Sequence, residues 1–599
     1  MGYIAIIKQG HKARVSWNTC IRTPDKPYPV RIPLHLGVLS TNGKELLRSI
    51  KCSELNREII DALTKKGIEY LGNTANPPGR EPTLLSRVTI QDLNSSKVIY
   101  IGVYRLLVAL AKESGLKRSL VNAFGSNAEA IFALACHRLD SRQNSYLAKD
   151  WGEETPFTAT TVNLSPKAVS RITAQVERGR LAFSKSWYEA CGKPKKFIED
   201  STHFCTRATS NTQREIEEYG WKHHQENGLR QINVMSMVAI EVMLPIVCRS
   251  YFGSINDIST FMETSVEMDI IGKGTVREYI SDSGYFSNFN MIQMLKHGDG
   301  FTIEAKWDNQ TMRIFVDYKT QLEQPGDTVK HGSFSYRFAK CSYRLKAFGA
   351  VPENKCNVAG FIYYSDLEHS IFYNDLQVGV AECEENFYKY DFRDDQQAQE
   401  WLDTSTNGIG KYLLIKGTGK SRKVLQNHMA INTDTQKKGF HVILSTNSER
   451  SALEVLTTIH GRDPVEKLWH TMKSELDART LHTKIDDTTQ GKIFIVWCAS
   501  ILYNLIFNRM KKYNVKMTMN ELFLALRKVK LLLSGEHRTT GLTLTKKSKE
   551  AIVAMRLEDK FPEFMRELQP FVEARNKKEN PSTKHPGRPA RFKFKKEVK

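Results

Sequence analysis

The spacing of apolar residues divides the chain into segments with different predicted secondary structure. Residues 1–95 carry short alternating runs broken by prolines, which predicts strands and turns with one helix, an N-terminal β/α region. Residues 96–190 carry apolar positions at helical spacing and are predicted to be a helical DNA-binding region, with simple packing as the alternative. In residues 191–307 short apolar strands alternate with helices, which indicates a mixed α/β sheet.

The second half of the chain repeats this change of pattern. Residues 308–430 are rich in Tyr, Phe and Gly and are predicted to be a β-rich insertion, after which the α/β pattern resumes over 431–512. The apolar run from Ile493 to Phe507 is shorter than the ~20 residues of a membrane span and predicts a buried core helix. Residues 513–570 are predicted to be helical, and residues 571–599 to form a disordered basic tail.

Charge narrows the class of partner. The formal net charge of +21 points to a polyanion, most often nucleic acid, and the C-terminal 99 residues hold most of it. The ten cysteines form no C-x-x-C pair, which argues against a zinc ribbon and favours reduced thiols in the cytoplasm. We expect neither a secretory signal nor a membrane partner.

Three acids occupy positions where metal chemistry is possible. Asp200 and Asp282 each end a predicted strand, and Glu466 lies in the first turn of a predicted helix. Acids at strand ends and on an adjoining helix can meet at one edge of a sheet and hold two divalent cations. Hard cations such as Mg²⁺ prefer such oxygen ligands, and Mn²⁺ is the expected substitute.

The helix that carries Glu466 also has a purely structural interpretation. Its buried stripe is predicted to contain Val465, Leu468, Trp469, Met472 and Leu476. With Asp463 as N-cap, Glu466 falls at the third position of the helix, which is a capping-box arrangement. Glu466 and Lys473, seven residues apart, fit either a metal-and-phosphate edge or a solvated charged ridge.

Arg462, Glu466 and Lys473 together match R-x3-E-x6-K, and this helix resembles the signature of DDE transposases of bacterial insertion sequences, the branch with a Y-x2-R-x3-E-x6-K motif. Further motifs follow in the order that the family has. Asp200-Ser201-Thr202 resembles its first Asp motif, and Gly253 to Asp257 resembles its G-N-x-x-D turn. Asp282-Ser283-Gly284-Tyr285 resembles its second Asp motif, and Ser445-Thr446-Asn447 resembles its T-N turn. One position departs from the pattern, because Ile459 stands where the motif has Tyr.

The resemblance implies an α/β fold with a ribonuclease-H-like catalytic core, interrupted by the β-rich insertion and followed by a helical, basic C-terminus. It implies that Asp200, Asp282 and Glu466 bind two Mg²⁺ ions, and that Arg462 and Lys473 contact DNA phosphates. The implied activity is DNA transposition by a mobile element: cleavage of the terminal inverted repeats of an insertion sequence and joining of the 3′ ends to target DNA. A homodimer in a synaptic complex, in the bacterial cytoplasm at the nucleoid, is expected with it.

Two other functions stay open at this point. A catalytically silent DNA-binding descendant would fit the missing Tyr, and a stand-alone endonuclease of the same fold would cleave without joining. In the tail, Lys584, Arg588 and Arg591 resemble an AT-hook, whose Gly-Arg-Pro core can lie in a narrow minor groove. The alternative is a basic tail that contacts phosphates without reading DNA shape.

Overall fold

The structure is a computed structural model, and the statements below refer to the residues it describes: 2–9, 12–21, 30–39, 46–48, 55, 57–69, 97–157, 162–206, 230–255, 257–346, 352, 356–406, 408–478, 480–481, 483, 485–534 and 538–579. The chain forms two compact units. One contains residues 1–97 with 532–539, and the other contains residues 98–531 with 540–599.

The first unit contains an antiparallel sheet in chain order, as the short alternating runs predict. Its strands are β1 (Gly2–Gln9), β2 (Lys12–Ile21), β3 (Val30–Leu39) and β4 (Leu46–Arg48), and one described helix, α1 (Arg57–Thr64), accompanies them. The core contains the apolar face of the sheet and of the helix, including Val15, Trp17, Leu36, Ile59 and Leu63. The next strand, β5, spans Lys97–Tyr100.

A ten-stranded mixed sheet forms the centre of the second unit, in the order β11-β12-β13-β16-β10-β9-β6-β7-β8, with β17 also paired to β6. Its strands are β6 (Lys196–Thr206), β7 (Gln231–Ala239), β8 (Leu244–Phe252), β9 (Glu278–Ser281), β10 (Gly300–Glu304), β11 (Thr328–His331), β12 (Phe334–Arg344), β13 (Asn357–Tyr364), β16 (Phe440–Ser445) and β17 (Thr480–Leu481). The remaining strands are β14 (Leu413–Lys416), β15 (Lys423–Gln426), β18 (Lys530–Ser534) and β19 (Arg538–Gly541).

Strand direction divides this sheet into three parts: antiparallel pairs run from β11 to β10 and from β6 to β8, and parallel pairs join β6, β9 and β10 between them. β6, β7 and β8 are antiparallel neighbours, whereas β9 and β10 run parallel to β6. Every residue of β7 is buried, because this central strand is covered on both faces. The prediction of a mixed α/β sheet for residues 191–307 is therefore confirmed.

Helices cover the sheet and form a separate helical layer. In chain order they are α2 (Gly102–Glu113), α3 (Leu116–Phe124), α4 (Ala128–Ser141), α5 (Ala148–Glu153), α6 (Pro166–Thr173), α7 (Val176–Ala190), α8 (Asp257–Ile271), α9 (Asn288–His297), α10 (Asn309–Glu323), α11 (Asp366–Phe387), α12 (Asp395–Thr404), α13 (His428–Thr435), α14 (Ala452–His460), α15 (Asp463–His470), α16 (Asp486–Lys512), α17 (Met519–Leu526), α18 (Lys546–Ala554) and α19 (Met565–Glu579).

Helix α16 joins the helical layer to the sheet, because it packs against α4, α6, α7 and β8. Its approach to α6 requires Gly491, where a Cβ atom would meet the carbonyl oxygen of Thr173 at 2.0 Å. Among the described residues it is the one helix long and apolar enough to cross a membrane, but 61% of its most apolar window is buried inside the protein. The predicted core helix at Ile493 to Phe507 is part of α16, and it is largely buried.

The prediction of a β-rich insertion at residues 308–430 is wrong. β11, β12 and β13 extend the main sheet rather than forming a separate β domain, and much of the remainder is helical, including α10, α11 and α12. Many of the aromatic residues do lie in β12 and β13, but those after β13 contribute to a separate, largely helical core, in which Leu376, Val380, Phe387, Leu402 and Tyr412 are buried. Hydrogen bonds from the backbone to the side chains of Ser365 and Asp394 cap α11 and α12.

The prediction of a disordered tail beginning at residue 571 is also wrong in its first part. Helix α19 continues to Glu579, and Leu568 within it is fully buried. Arg575 secures the last turns, since its Nη1 donates to Glu558 Oε1 at 2.6 Å. Residues 580–599 lie outside the described residues.

Candidate active site

Asp200 and Asp282 lie on neighbouring strands of the main sheet. Asp200 is in the middle of β6, and Asp282 follows β9 directly. Because β6 and β9 are parallel and Ile198 pairs with Ile280, the continued register places the two carboxylates side by side. Asp282 Oδ1 accepts a hydrogen bond from the Gly284 backbone at 2.8 Å, which fixes its side chain at the turn.

Asp200 and Asp282 are close enough for the negative charge of one carboxylate to disfavour ionisation of the other. Burial and, after it, the negative charge of Asp282 together raise the pKa of Asp200 to about 6. Arg462, the Ser201 backbone and the Trp469 indole act in the opposite direction but do not cancel these effects. A cation placed between the two carboxylates would offset this cost, so the pair fits a divalent ion on this ground.

Helix α15 delivers the R-x3-E-x6-K motif to this pair. Arg462 Nη2 lies 3.4 Å from Asp282 Oδ2, and its side chain is 20% exposed. Its Nε atom is buried and has no hydrogen-bond partner among the described residues, which leaves donor capacity for another acceptor. The capping-box alternative is wrong: Arg462 rather than Asp463 is the N-cap, and no side chain caps the helix.

Two hydrogen bonds attach this helix to β6. The Trp469 indole Nε1 donates to Asp200 Oδ2 at 3.1 Å, and Lys473 Nζ donates to Thr202 Oγ1 at 2.5 Å. The spacing matches, because four helical residues rise about 6 Å and two strand residues about 6.6 Å. Trp469 is 6% exposed, so its predicted place in the core stripe is confirmed, and its polar edge is aimed at the site.

The end of the helix departs from regular α geometry. Residues Thr471–Glu475 form a π-helical turn, in which the Leu476 N–H donates to the Thr471 carbonyl. Lys473 lies within this turn, and its Nζ donates to Thr202 on β6. Single-turn π segments occur often at functional sites.

Glu466, the third predicted acid, is exposed on α15. Across the described ranges, no group of three or more His, Cys, Asp or Glu side chains is arranged to hold a metal. The structure therefore brings together Asp200, Asp282 and Arg462, whereas the role of Glu466 stays a prediction. Ile459, at the position of the motif Tyr, is 6% exposed on the apolar face of α14 and contributes to the core.

One acid near the site was missed by the sequence reasoning. Ser281 pairs with Ile303 on the parallel strands β9 and β10, so the next residue of each, Asp282 and Glu304, are also level. Burial raises the pKa of Glu304, but a hydrogen bond from His441 and the charges of His441 and Arg462 lower it more. The signal was available, since Glu304 ends its strand in the same way as Asp282 follows β9.

The predicted DNA-binding residues of the tail, Lys584, Arg588 and Arg591, lie outside the described residues. They remain predictions, as do the contacts of Arg462 and Lys473 with DNA.

The chain is similar to a solved transposase structure, although the similarity is weak. No protein family and no curated protein matches the sequence. A chain from the cryo-EM structure of a piggyBac transposase synaptic complex with hairpin DNA is similar, with 10% sequence identity and a TM-score of 0.33. The match covers 79% of this chain and 82% of that chain. A likeness of this degree assigns neither fold nor activity, so the proposal that follows depends on the site.

Proposed function

We propose that this protein is a DNA transposase that cleaves the ends of its own mobile element and joins them to target DNA. The observation that carries the proposal is the meeting of Asp200 and Asp282 with Arg462, the first residue of the R-x3-E-x6-K helix. The two acids lie 180 or more positions before Arg462 in the sequence, yet all three residues meet at one edge of the sheet.

The strand order gives independent support for a ribonuclease-H-like core. The order β8-β7-β6-β9-β10, with β7 antiparallel to its neighbours and β9 and β10 parallel to β6, is the arrangement expected of that fold. In chain order, Asp200 lies on the first of these five strands, β6, and Asp282 follows the fourth, β9, as the resemblance implies. The bacterial insertion-sequence branch, the homodimer and the nucleoid location are proposed with the same resemblance as their support.

In this mechanism Asp200 and Asp282, with Glu466 as the third ligand, would hold two Mg²⁺ ions. Bound Mg²⁺ supplies activation of the attacking oxygen and stabilisation of the leaving oxygen of a phosphodiester. The Trp469 indole fixes Oδ2 of Asp200 and so orients the carboxylate. Arg462 and Lys473 would hold the phosphates beside the scissile bond, where charge-assisted hydrogen bonds to phosphate oxygens are strong.

The test uses duplex DNA that carries the sequences flanking the reading frame. Asp200→Asn, Asp282→Asn and Glu466→Gln are each expected to abolish Mg²⁺-dependent nicking and strand transfer while DNA binding persists. Asp463→Asn is the matched control, because Asp463 is 71% exposed on the same helix and its one ion-pair partner within the described part of the chain is Lys467. Full activity in any of the three variants refutes the role of that acid.

The same assay separates the two alternatives. A silent descendant would bind the flanking DNA and show no nicking in the unmodified protein. A stand-alone nuclease would cleave without joining and without preference for the flanking sequences. Nicking followed by joining of the 3′ ends supports the transposase.

A further inference from the structure

A partly exposed histidine lies between two carboxylates beside the candidate site. His441 on β16 contacts Glu304 Oε1 through Nδ1 at 2.9 Å and Glu368 Oε2 through Nε2 at 2.8 Å. Burial lowers the pKa of His441, but the two hydrogen bonds and the two negative charges raise it to about 10. Both ring nitrogens therefore donate, and the imidazolium is retained at neutral pH.

This group of residues is continuous with the site. Glu304 is level with Asp282 on the neighbouring strand, and the charge of Arg462 acts on both Glu304 and Asp200. The side chains thus alternate in sign from the site outwards: Asp282, Arg462, Glu304, His441 and Glu368. The last of these lies in the first turn of α11, which belongs to the segment inserted between β10 and β16.

The alternation determines where Arg462 can lie. With His441 protonated, Glu304 has a cationic hydrogen-bond partner on one side, and on the other side it attracts Arg462 by charge while the guanidinium contacts Asp282. Without the imidazolium, Glu304 and Glu368 would be two partly buried carboxylates with no cation between them, and Glu304 would attract Arg462 more strongly. The guanidinium would then move away from Asp282 and from the place where a DNA phosphate is expected.

We propose that His441 is a positioning residue, which through Glu304 holds the Arg462 guanidinium beside Asp282. The inference rests on the proposed transposase function, because it is there that Arg462 meets a phosphate at the cut. It also assigns a task to the inserted segment, since Glu368 of α11 fixes the far side of the imidazole ring.

The test is a double-mutant cycle on the full-length protein. His441→Gln is expected to slow single-turnover nicking of the flanking DNA by about 10- to 100-fold, the cost of a misplaced group at a reacting centre. In an Arg462→Ala background the same substitution is expected to change nicking by less than about two-fold, because the residue through which it acts is gone. Additive effects in the two backgrounds overturn the proposal.

A second measurement does not depend on cleavage. Arg462→Ala is expected to lower the slope of log affinity against log salt for the flanking DNA by about one phosphate contact. His441→Gln is expected to lower it equally, and the double variant no further. A slope unchanged by His441→Gln, where Arg462→Ala lowers it, overturns the proposal even if nicking is impaired.

His369→Gln serves as the matched control. This histidine lies on α11, next to Glu368, and its Nδ1 contacts the Lys438 backbone rather than a carboxylate. We expect it to leave both measurements unchanged. Nicking that persists in Asp200→Asn would refute the proposed transposase function, whereas the two measurements above refute only the role of His441. The two failures are therefore distinguishable.

Discussion

Removing the charge of Asp200 should stabilise the protein when no divalent cation is present. Burial and the neighbouring Asp282 raise the pKa of Asp200 from 3.8 to about 6, so the folded protein disfavours the ionised carboxylate. Asp200→Asn keeps the shape and an acceptor for the Trp469 indole but has no charge. At about 1.4 kcal/mol per pH unit, the difference corresponds to about 3 kcal/mol of unfolding free energy.

The sign sets the pH range in which the effect appears. Because the pKa in the folded state is raised, the folded protein binds the proton more tightly than the unfolded chain does. The penalty is absent below about pH 4, grows as the pH rises towards 6, and is complete above the folded pKa. Asp200→Asn should therefore match the parent protein at low pH and exceed it at pH 8.

The assay is urea unfolding of both proteins in EDTA across this pH range. Asp463→Asn should stay within about 0.5 kcal/mol of the parent throughout, because that side chain is 71% exposed. Adding Mg²⁺ should then stabilise the parent and not Asp200→Asn, since the ion binds only the carboxylate. A gain that is absent at pH 8, or equal at pH 4 and pH 8, refutes the electrostatic account.

Three further predictions test other parts of the structure. Trp469→Phe should lower the unfolding free energy by about 1–3 kcal/mol, because Asp200 loses a hydrogen bond; an unchanged urea midpoint contradicts this. Truncation after Glu579 should reduce the slope of log DNA affinity against log salt concentration by up to about six, the net charge of the removed tail, without lowering the melting temperature. An unchanged slope would show that the tail does not contact DNA phosphates. Arg180→Met should cost about 3 kcal/mol, because the buried Glu267 then keeps only the longer, 3.9 Å ion pair with Arg249 among the described residues, and adding Glu267→Met should recover most of it in the same unfolding assay.

Local patterns in the sequence predict the sheet around the candidate site well where short-range chemistry decides the structure. The strand Glu278–Ser281 and the helix Asn288–His297 follow the predicted alternation of residues 191–307, because an Asp turn and a Ser287 cap separate them. The aromatic segment after Trp307 is different. Phe and Tyr fit a strand or the buried side of a helix equally well, and only packing decides between them.

The candidate site shows the same division. Asp282 follows its strand as predicted, whereas the prediction that Asp200 ends a strand is wrong, because β6 continues to Thr206; the motif adds Arg462. The pairing of Glu304 with His441 joins residues 137 positions apart, and no local pattern reveals such a contact. The π-helical turn at Thr471–Glu475 was not foreseen either, since single-turn π segments have no composition of their own.

The place of α16 in the fold has a consequence for synthesis on the ribosome. Arg509 on this helix pairs with Glu113 at 2.8 Å, a residue made 396 positions earlier. At about 5–20 residues per second, the N-terminal helices wait roughly 20–80 s for the partner that completes their core. A chain interrupted before Asp486 is therefore expected to expose the apolar faces of these helices and to be a substrate for chaperones and proteases.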